Sequence, residues 1–328
     1  MLMIISNTMA NINHNSELRK HYFLDSYVII APKRNLRPDF FAKNPQPHKV
    51  PSDDCPFDHN TEPSVWQIPR TGNWRVKTIR NRFAALSPDN PKAYGVQEVI
   101  LNTPDHDIEF SDLSVSHIEE VFAAYRNRIT ELSKLPGIRY VLIFKNDGPI
   151  AGASVAHAHC QVFALPIVPP RIERESDALN HYWDIHNSCG YCDALAWERS
   201  QKVRVISEDK YMMAIAPFAS THALEVWILP RRHVGKISEL HATELESLAV
   251  ILKKITAHLD ASIISFNYLL QESLANQDHH FSIKIEPRTT KYAGAELGTG
   301  VIINPMTPEY ATLWYRGKLT DSDVRSTH

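Results

Sequence analysis

The side chains best suited to chemistry lie in one short run, Gly152-Ala-Ser154-Val-Ala-His157-Ala-His159-Cys-Gln161. An imidazole with an ordinary pKa of about 6.5 is mostly neutral at pH 7, nucleophilic, and a competent leaving group once phosphorylated. His159 can therefore attack an α-phosphorus and carry the nucleotidyl group. Residues two apart in a strand share a face of the sheet. That spacing predicts His157, His159 and Gln161 side by side, with Gln161 donating to an oxygen on which charge develops. Just upstream, Gly152 and Ser154 suit a loop whose backbone N–H groups and hydroxyl hold phosphate oxygens.

A second constellation is Cys189-Gly-Tyr-Cys192 with His233 and His280. Two thiolates three residues apart and two imidazoles from later strands make a tetrahedral set for structural zinc. The same pattern stands earlier in the chain as Cys55, Asp58, His106 and His157. There a carboxylate takes the place of the second thiolate, which zinc tolerates; otherwise Asp58 is a solvated loop residue and no metal binds.

These residues need elements to hold them. Leu113, Ile118, Val121, Phe122, Tyr125, Ile129 and Leu132 form one helical stripe, and Leu245, Leu248, Leu252, Ile255 and Leu259 form another. Each stripe follows an apolar, β-branched run ending in a histidine. Without gaps, at an offset of 127 residues, Glu98-Val-Ile-Leu, His106 and Leu113 fall on Glu225-Val-Trp-Ile, His233 and Leu240. The period is too long for a solenoid repeat; it describes one unit duplicated and diverged. The predicted fold is α+β, with two tandem units over 17–170 and 171–318, each an antiparallel sheet with a long helix. His157 then matches His280 and His159 matches Ser282, so the second unit keeps a metal histidine and lacks the nucleophile. Pro38 to Pro51 reads as an extended arm, Arg171 to Asp177 as the start of a linker, Gly294 to Gly300 as a loop, and the last ten residues as frayed.

Composition narrows the function classes. With 35 basic and 37 acidic residues, a net charge of −2 and 43% hydrophobic residues, the chain is neither disordered nor a cationic nucleic-acid binder. No apolar run approaches the ~18 residues of a membrane span, and the opening Met1 to Ile5 is too short for a signal peptide, which points to the cytoplasm. Four cysteines are too few for a disulfide scaffold in 328 residues. The phosphate-binding patterns G-x-x-x-x-G-K-[ST] and G-x-G-x-x-G are both missing from the sequence.

Gly152-Ala-Ser154, His157-x-His159-x-Gln161, the preceding Cys-x-x-[Asp/Cys] and the diverged second copy together resemble the galactose-1-phosphate uridylyltransferase family of the histidine-triad superfamily, from about Arg34 to Pro308. The resemblance implies double-displacement nucleotidyl transfer, with His159 as nucleophile, His157 as a metal ligand, and Gln161 and Ser154 on the phosphoryl oxygens. It also implies that Asn146 stands before the phosphate loop and that Asn81 and Arg82 contact the nucleoside. Arg34 and Arg37 would lie near the nucleotide, and Glu296 near the sugar hydroxyls. The implied substrates are a nucleotide sugar and a sugar 1-phosphate or phosphate, and the implied assembly is a homodimer. Ala158 departs from the proline that the best-known members carry between the histidines. The tail Gly294 to Pro305, Ala216-Pro-Phe-Ala and Trp227 to His233 resemble the ADP-glucose phosphorylase branch, which moves AMP and uses phosphate as acceptor. The leading expectation is a UDP-glucose–hexose-1-phosphate uridylyltransferase. The others are an ADP-sugar phosphorylase, a hydrolase of dinucleoside polyphosphates or nucleoside phosphoramidates, and a non-catalytic zinc-stabilised module that binds nucleotides or protein partners.

Overall fold

A computed structural model describes residues 15–36, 54–58, 61–274 and 279–319. The expected arm from Pro38 to Pro51, Arg37, and residues 320–328 of the expected frayed end lie outside the described residues. The chain opens with strands β1 (Glu17–Lys20) and β2 (Tyr27–Ile30) and a 3-10 turn, Pro32–Leu36, that carries Arg34. Then come β3 (Trp66–Ile68), β4 (Val76–Arg80), β5 (Val96–Leu101), helix α1 (Val115–Leu132), β6 (Tyr140–Asp147) and β7 (His159–Leu165). Two helices follow, α2 (Pro170–His186) and α3 (Gly190–Gln201). The series repeats as β8 (Val205–Glu208), β9 (Met212–Ile215), β10 (Val226–Pro230), α4 (Ala242–Ala261), β11 (Phe266–Gln271) and β12 (Ser282–Pro287). Helix α5 (Gly294–Thr299), β13 (Ile302–Asn304) and α6 (Pro308–Tyr315) end it.

The duplication is visible in the sheet. Its ten strands run β3-β4-β5-β7-β6-β11-β12-β10-β9-β8, so the two halves are read in the same element order from opposite edges. The predicted antiparallel sheets, one per unit, are thus joined edge to edge into one continuous sheet. The reason is the edge each half would otherwise expose: β6 and β11 pair antiparallel from Phe266↔Asp147 to Leu270↔Ile143, satisfying backbone groups that neither could satisfy alone. Behind the seam, the Tyr125 and Tyr268 hydroxyls touch each other, and each lies near Cys160 Sγ, at 2.9 and 3.1 Å.

Helices α1 and α4 cover one face. Ser114 caps α1, its Oγ accepting from His117 N at 3.2 Å. Ile118, Val121, Phe122, Tyr125 and Leu132 then bury the predicted stripe against the strands, and Leu248, Leu252, Ile255 and Leu259 do the same from α4. Each side chain of this size contributes about 1.5–3 kcal/mol when fully buried. The opposite face differs between halves. In the second half it is filled: α2 lays Glu175 on Lys284, with both Nζ–O distances 3.0 Å, and Arg171 on Glu286 at 2.7 Å. The stretch Arg171 to Asp177, expected as a linker, is therefore helical; its inward charges are tolerated because they are paired. Gly294 to Gly300 is a short helix rather than a loop, ended by Gly300 at φ +72°. A three-stranded sheet, β1-β2-β13, ties the two ends of the described chain together, with β13 parallel to β2. Among the described residues, no helix is long and apolar enough to cross a membrane.

Candidate active site and metal centres

The open face of the first half carries the His159 run singled out in the sequence. Strand β7 begins at His159, so His157 precedes the strand rather than standing beside His159 on it. His157 and His159 nonetheless line one cavity, with His157 also in the metal group, whereas Gln161, two places along the strand from His159, is not part of that lining. The His159 ring packs edge-on to Phe57 with centroids 5.1 Å apart. Its Nδ1–H donates to the His157 carbonyl at 2.7 Å, which leaves the lone pair on Nε2. Burial first, then the Lys145 charge, pushes the His159 pKa down to about 4, so the ring is neutral at pH 7.

Only 6% of His159 is exposed, yet it is not sealed in the interior: it lines a cavity of about 240 Å³ with Asn146, Ser154, Lys145, Asp147 and Glu109. Whole small-molecule sites occupy about 300–1,000 Å³. This one therefore suits a phosphoryl group, with the remainder of a larger ligand outside. Gly152 adopts φ +87°, which only glycine takes without strain, at the turn leading into Ser154. The Lys145 ammonium is buried, 3.1 Å from Asp147, and donates to the His159 carbonyl at 3.4 Å.

The amide of Gln161 has a fixed orientation. Ala85 N–H donates to Gln97 Oε1 at 2.8 Å, and Gln97 Nε2 then donates to Gln161 Oε1 at 3.4 Å. Gln161 is left with its NH2 to offer, as an oxyanion donor requires. Asn146 is held from across the seam by Asn267, its register partner, whose Nδ2 donates to Asn146 Oδ1 at 2.8 Å and to Ala151 O at 2.9 Å. Gln97, Asn267 and Lys145 were not singled out by motif; Asn267 stands opposite Asn146 on the duplicated strand, a pairing the repeat alignment could have shown.

Other expected residues lie elsewhere. Asn81 lines a separate cavity of about 830 Å³ with Trp66, Arg70 and Gln97, and its Oδ1 accepts from Phe83 N at 2.8 Å. Arg82 is exposed beside it. Glu296 closes the first turn of α5, accepting from Ala293 N at 2.9 Å. Neither Arg34, Arg82 nor Glu296 lines the cavity at His159.

The first metal group assembles with all four expected members, the second with three of its four, His280 standing outside it. Ligand atoms of Cys55, Asp58, His106 and His157 all lie within 4.8 Å of one another, as do those of Cys189, Cys192 and His233. In the first group, Asp58 reaches His106 Nδ1 at 2.6 Å and His157 Nδ1 at 3.0 Å, with Cys55 Sγ 3.8 Å from the latter. His157 donates from Nε2 to Thr103 O at 2.7 Å, leaving the Nδ1 lone pair toward the group. In the second, Cys192 Sγ is 3.3 Å from His233 Nδ1. The His280 ring stacks edge-on to His233 at 5.2 Å, its Nδ1–H on the Phe281 carbonyl at 2.9 Å. The hydrogen bond with Cys192, aided by His233, lowers the Cys189 thiol to about 6, whereas burial raises Cys55; a bound cation would favour the thiolate at both. These donor sets fit a divalent cation of the zinc kind.

A family model for the N-terminal domain of galactose-1-phosphate uridyl transferase matches residues 89–169, the segment from before β5 to just past β7. Over 90% of this chain and 91% of the relative, the sequence is 32% identical to the ADP-glucose phosphorylase of Arabidopsis thaliana. The chain belongs to the galactose-1-phosphate uridylyltransferase family. The galactose-1-phosphate uridylyltransferase of Thermotoga maritima is 28% identical over 90% of this chain and 96% of its own. Among solved structures, the Arabidopsis thaliana ADP-glucose phosphorylase with bound ADP-glucose superposes with a TM-score of 0.81 at 28% identity, covering 94% of this chain and 99% of that one. A uridylyltransferase gives 0.71 at 27% identity, covering 92% and 97%.

Proposed function

We propose that this chain is a nucleotidyltransferase of the family, taking UDP-glucose as donor and a hexose 1-phosphate as acceptor. The observation that carries the reading is the 2.7 Å hydrogen bond from His159 Nδ1 to the His157 carbonyl, which sets the Nε2 lone pair of a neutral ring at a phosphoryl-sized cavity. In the first step Nε2 bonds to the α-phosphorus while the bond to the sugar-1-phosphate oxygen breaks, and sugar 1-phosphate leaves. In the second, an acceptor phosphate oxygen bonds to the same phosphorus and Nε2 departs. Gln161 and Ser154 hold the non-bridging oxygens as charge grows on them, and Asn146 with the Gly152 turn shapes the cradle.

Zinc is part of the reading, held by Cys189, Cys192, His233 and His280, and by Cys55, Asp58, His106 and His157. Its contribution is structural, fixing the segment from which His159 projects. So are a cytoplasmic location, where the free thiols stay reduced, and a homodimer. Arg34 and Glu296 do not line the cavity of their own chain, which leaves them available to the pocket of a second copy.

A second reading, ADP-glucose as donor and inorganic phosphate as acceptor, is favoured by the 32% identity to the phosphorylase and its TM-score of 0.81. Incubation with UDP-glucose or ADP-glucose labelled at the α-phosphate decides the base. The expected result is acid-labile, base-stable label on the wild-type chain and none on His159→Ala. Full labelling of His159→Ala would end the nucleophile assignment, and free monophosphate released at one rate whatever the acceptor would make the chain a hydrolase. Elemental analysis should find two zinc ions per chain, and one after Cys189→Ser.

A further inference from the structure

The second half of the sheet has serine where a nucleophile would stand, but it reaches the first half's cavity through a directed chain of hydrogen bonds. A guanidinium can only donate. Arg288 Nε donates to Asn267 Oδ1, so the amide of Asn267 must turn its Nδ2 the other way. That Nδ2 donates to Asn146 Oδ1 at 2.8 Å and to Ala151 O at 2.9 Å. With its oxygen turned to Asn267, the planar Asn146 amide points its NH2 the other way; Nδ2 makes a long, 3.5 Å contact with Gly152 O beside the cavity that Asn146 lines. Arg288 is itself anchored by His222 Nε2 at 3.0 Å and Glu286 at 3.4 Å. The observed contacts fix each step, and flipping the Asn146 amide would turn its carbonyl toward an anionic phosphoryl group.

We propose that Arg288 and Asn267 are positioning residues that fix the Asn146 amide with its NH2 toward the phosphoryl group. The inference rests on the nucleotidyl-transfer reading of the cavity. It gives the diverged half a task in catalysis beyond architecture: its former site is plugged by α2, but its strand ends set the polarity of the working one.

The test is a double-mutant cycle on the full chain. Asn267→Asp keeps the acceptor for Arg288 and removes the donor to Asn146, so Asn146 turns its NH2 to the new carboxylate. The expected loss in the single-turnover transfer rate is about 10²-fold or more, the usual cost of one oxyanion donor. In an Asn146→Ala background the same substitution should cost less than about threefold, because the group it acts through is gone. A purely structural role predicts the same loss in both backgrounds, and that result would overturn the proposal. Should Asn267→Asp not fold, Arg288→Met takes its place in the cycle, releasing the amide with an expected loss of about tenfold that also vanishes with Asn146→Ala; a loss kept in that background refutes the relay. If the wild-type chain binds ADP-glucose or UDP-glucose yet transfers nothing, the nucleotidyl-transfer reading falls. The cycle is then read on calorimetric affinity for the same ligand, where non-additivity supports the relay and additivity overturns it.

Discussion

His159 and Gln161 stand two apart at the start of one strand, and each has one ring or amide atom committed to the protein, which fixes the orientation of the other. On the proposed reaction, Gln161 acts only as charge develops. Gln161→Ala should therefore lower kcat and kcat/KM together by about 10² to 10³, measured by single-turnover transfer, with substrate affinity nearly unchanged. A rise in KM at constant kcat would instead make Gln161 a ground-state contact. At this scale much was legible in the sequence, because nucleophile, loop and ligands sit in short runs with rigid spacing. What was not legible is orientation: how the Gln161 and Asn146 amides are turned depends on Gln97 and Asn267, cross-strand neighbours 64 and 121 residues away.

Helix α4 shows how an element can carry a cost placed there by the site it supports. Asp260, in its last turn, faces Asp147, Glu109, Lys145 and Ser111, and burial first, then the Asp147 charge, raises its pKa to about 7. A carboxylate is also unfavourable at the negative end of a helix. In the unfolded chain the group titrates near its ordinary 3.8. Between pH 3.8 and 7 the folded state thus binds the extra proton, and stability from this group falls as pH rises through that window. Asp260→Asn should raise the melting temperature at pH 8, on the order of 2 °C or more per kcal/mol recovered, and leave it almost unchanged at pH 4. Equal shifts at both pH values would mean that the carboxylate's charge is not what costs. The helix itself was foreseeable from its stripe. The fate of α2 was not: Arg171 to Asp177 read as the start of a linker because the partners of Arg171 and Glu175, Glu286 and Lys284, lie over a hundred residues away.

For the whole molecule, the decisive feature is the seam where β6 meets β11. The division into units 17–170 and 171–318, which we propose from the repeat, describes ancestry better than independent folding. Beyond the sheet, the small N-terminal strands pack on C-terminal elements: Arg19 pairs with Glu309 at 3.0 Å, and Phe218 N–H donates to Tyr22 Oη at 2.7 Å. Those contacts span 290 and 196 residues, and no local period announces them. A fragment of residues 15–170 would expose the β6 edge and remove Tyr268, which is fully buried, from Tyr125 and Phe110. Losing packing around one large buried aromatic costs about 3–5 kcal/mol, against total stabilities of about 5–15 kcal/mol. The fragment is therefore expected either to lack a cooperative transition or to self-associate through β6, and the full chain to melt in a single one. Calorimetry and analytical ultracentrifugation on both would check this. A fragment that stays monomeric with its own sharp transition would show that each half carries enough core to stand alone, and that the ten-stranded sheet joins two stable units instead of completing two unstable ones.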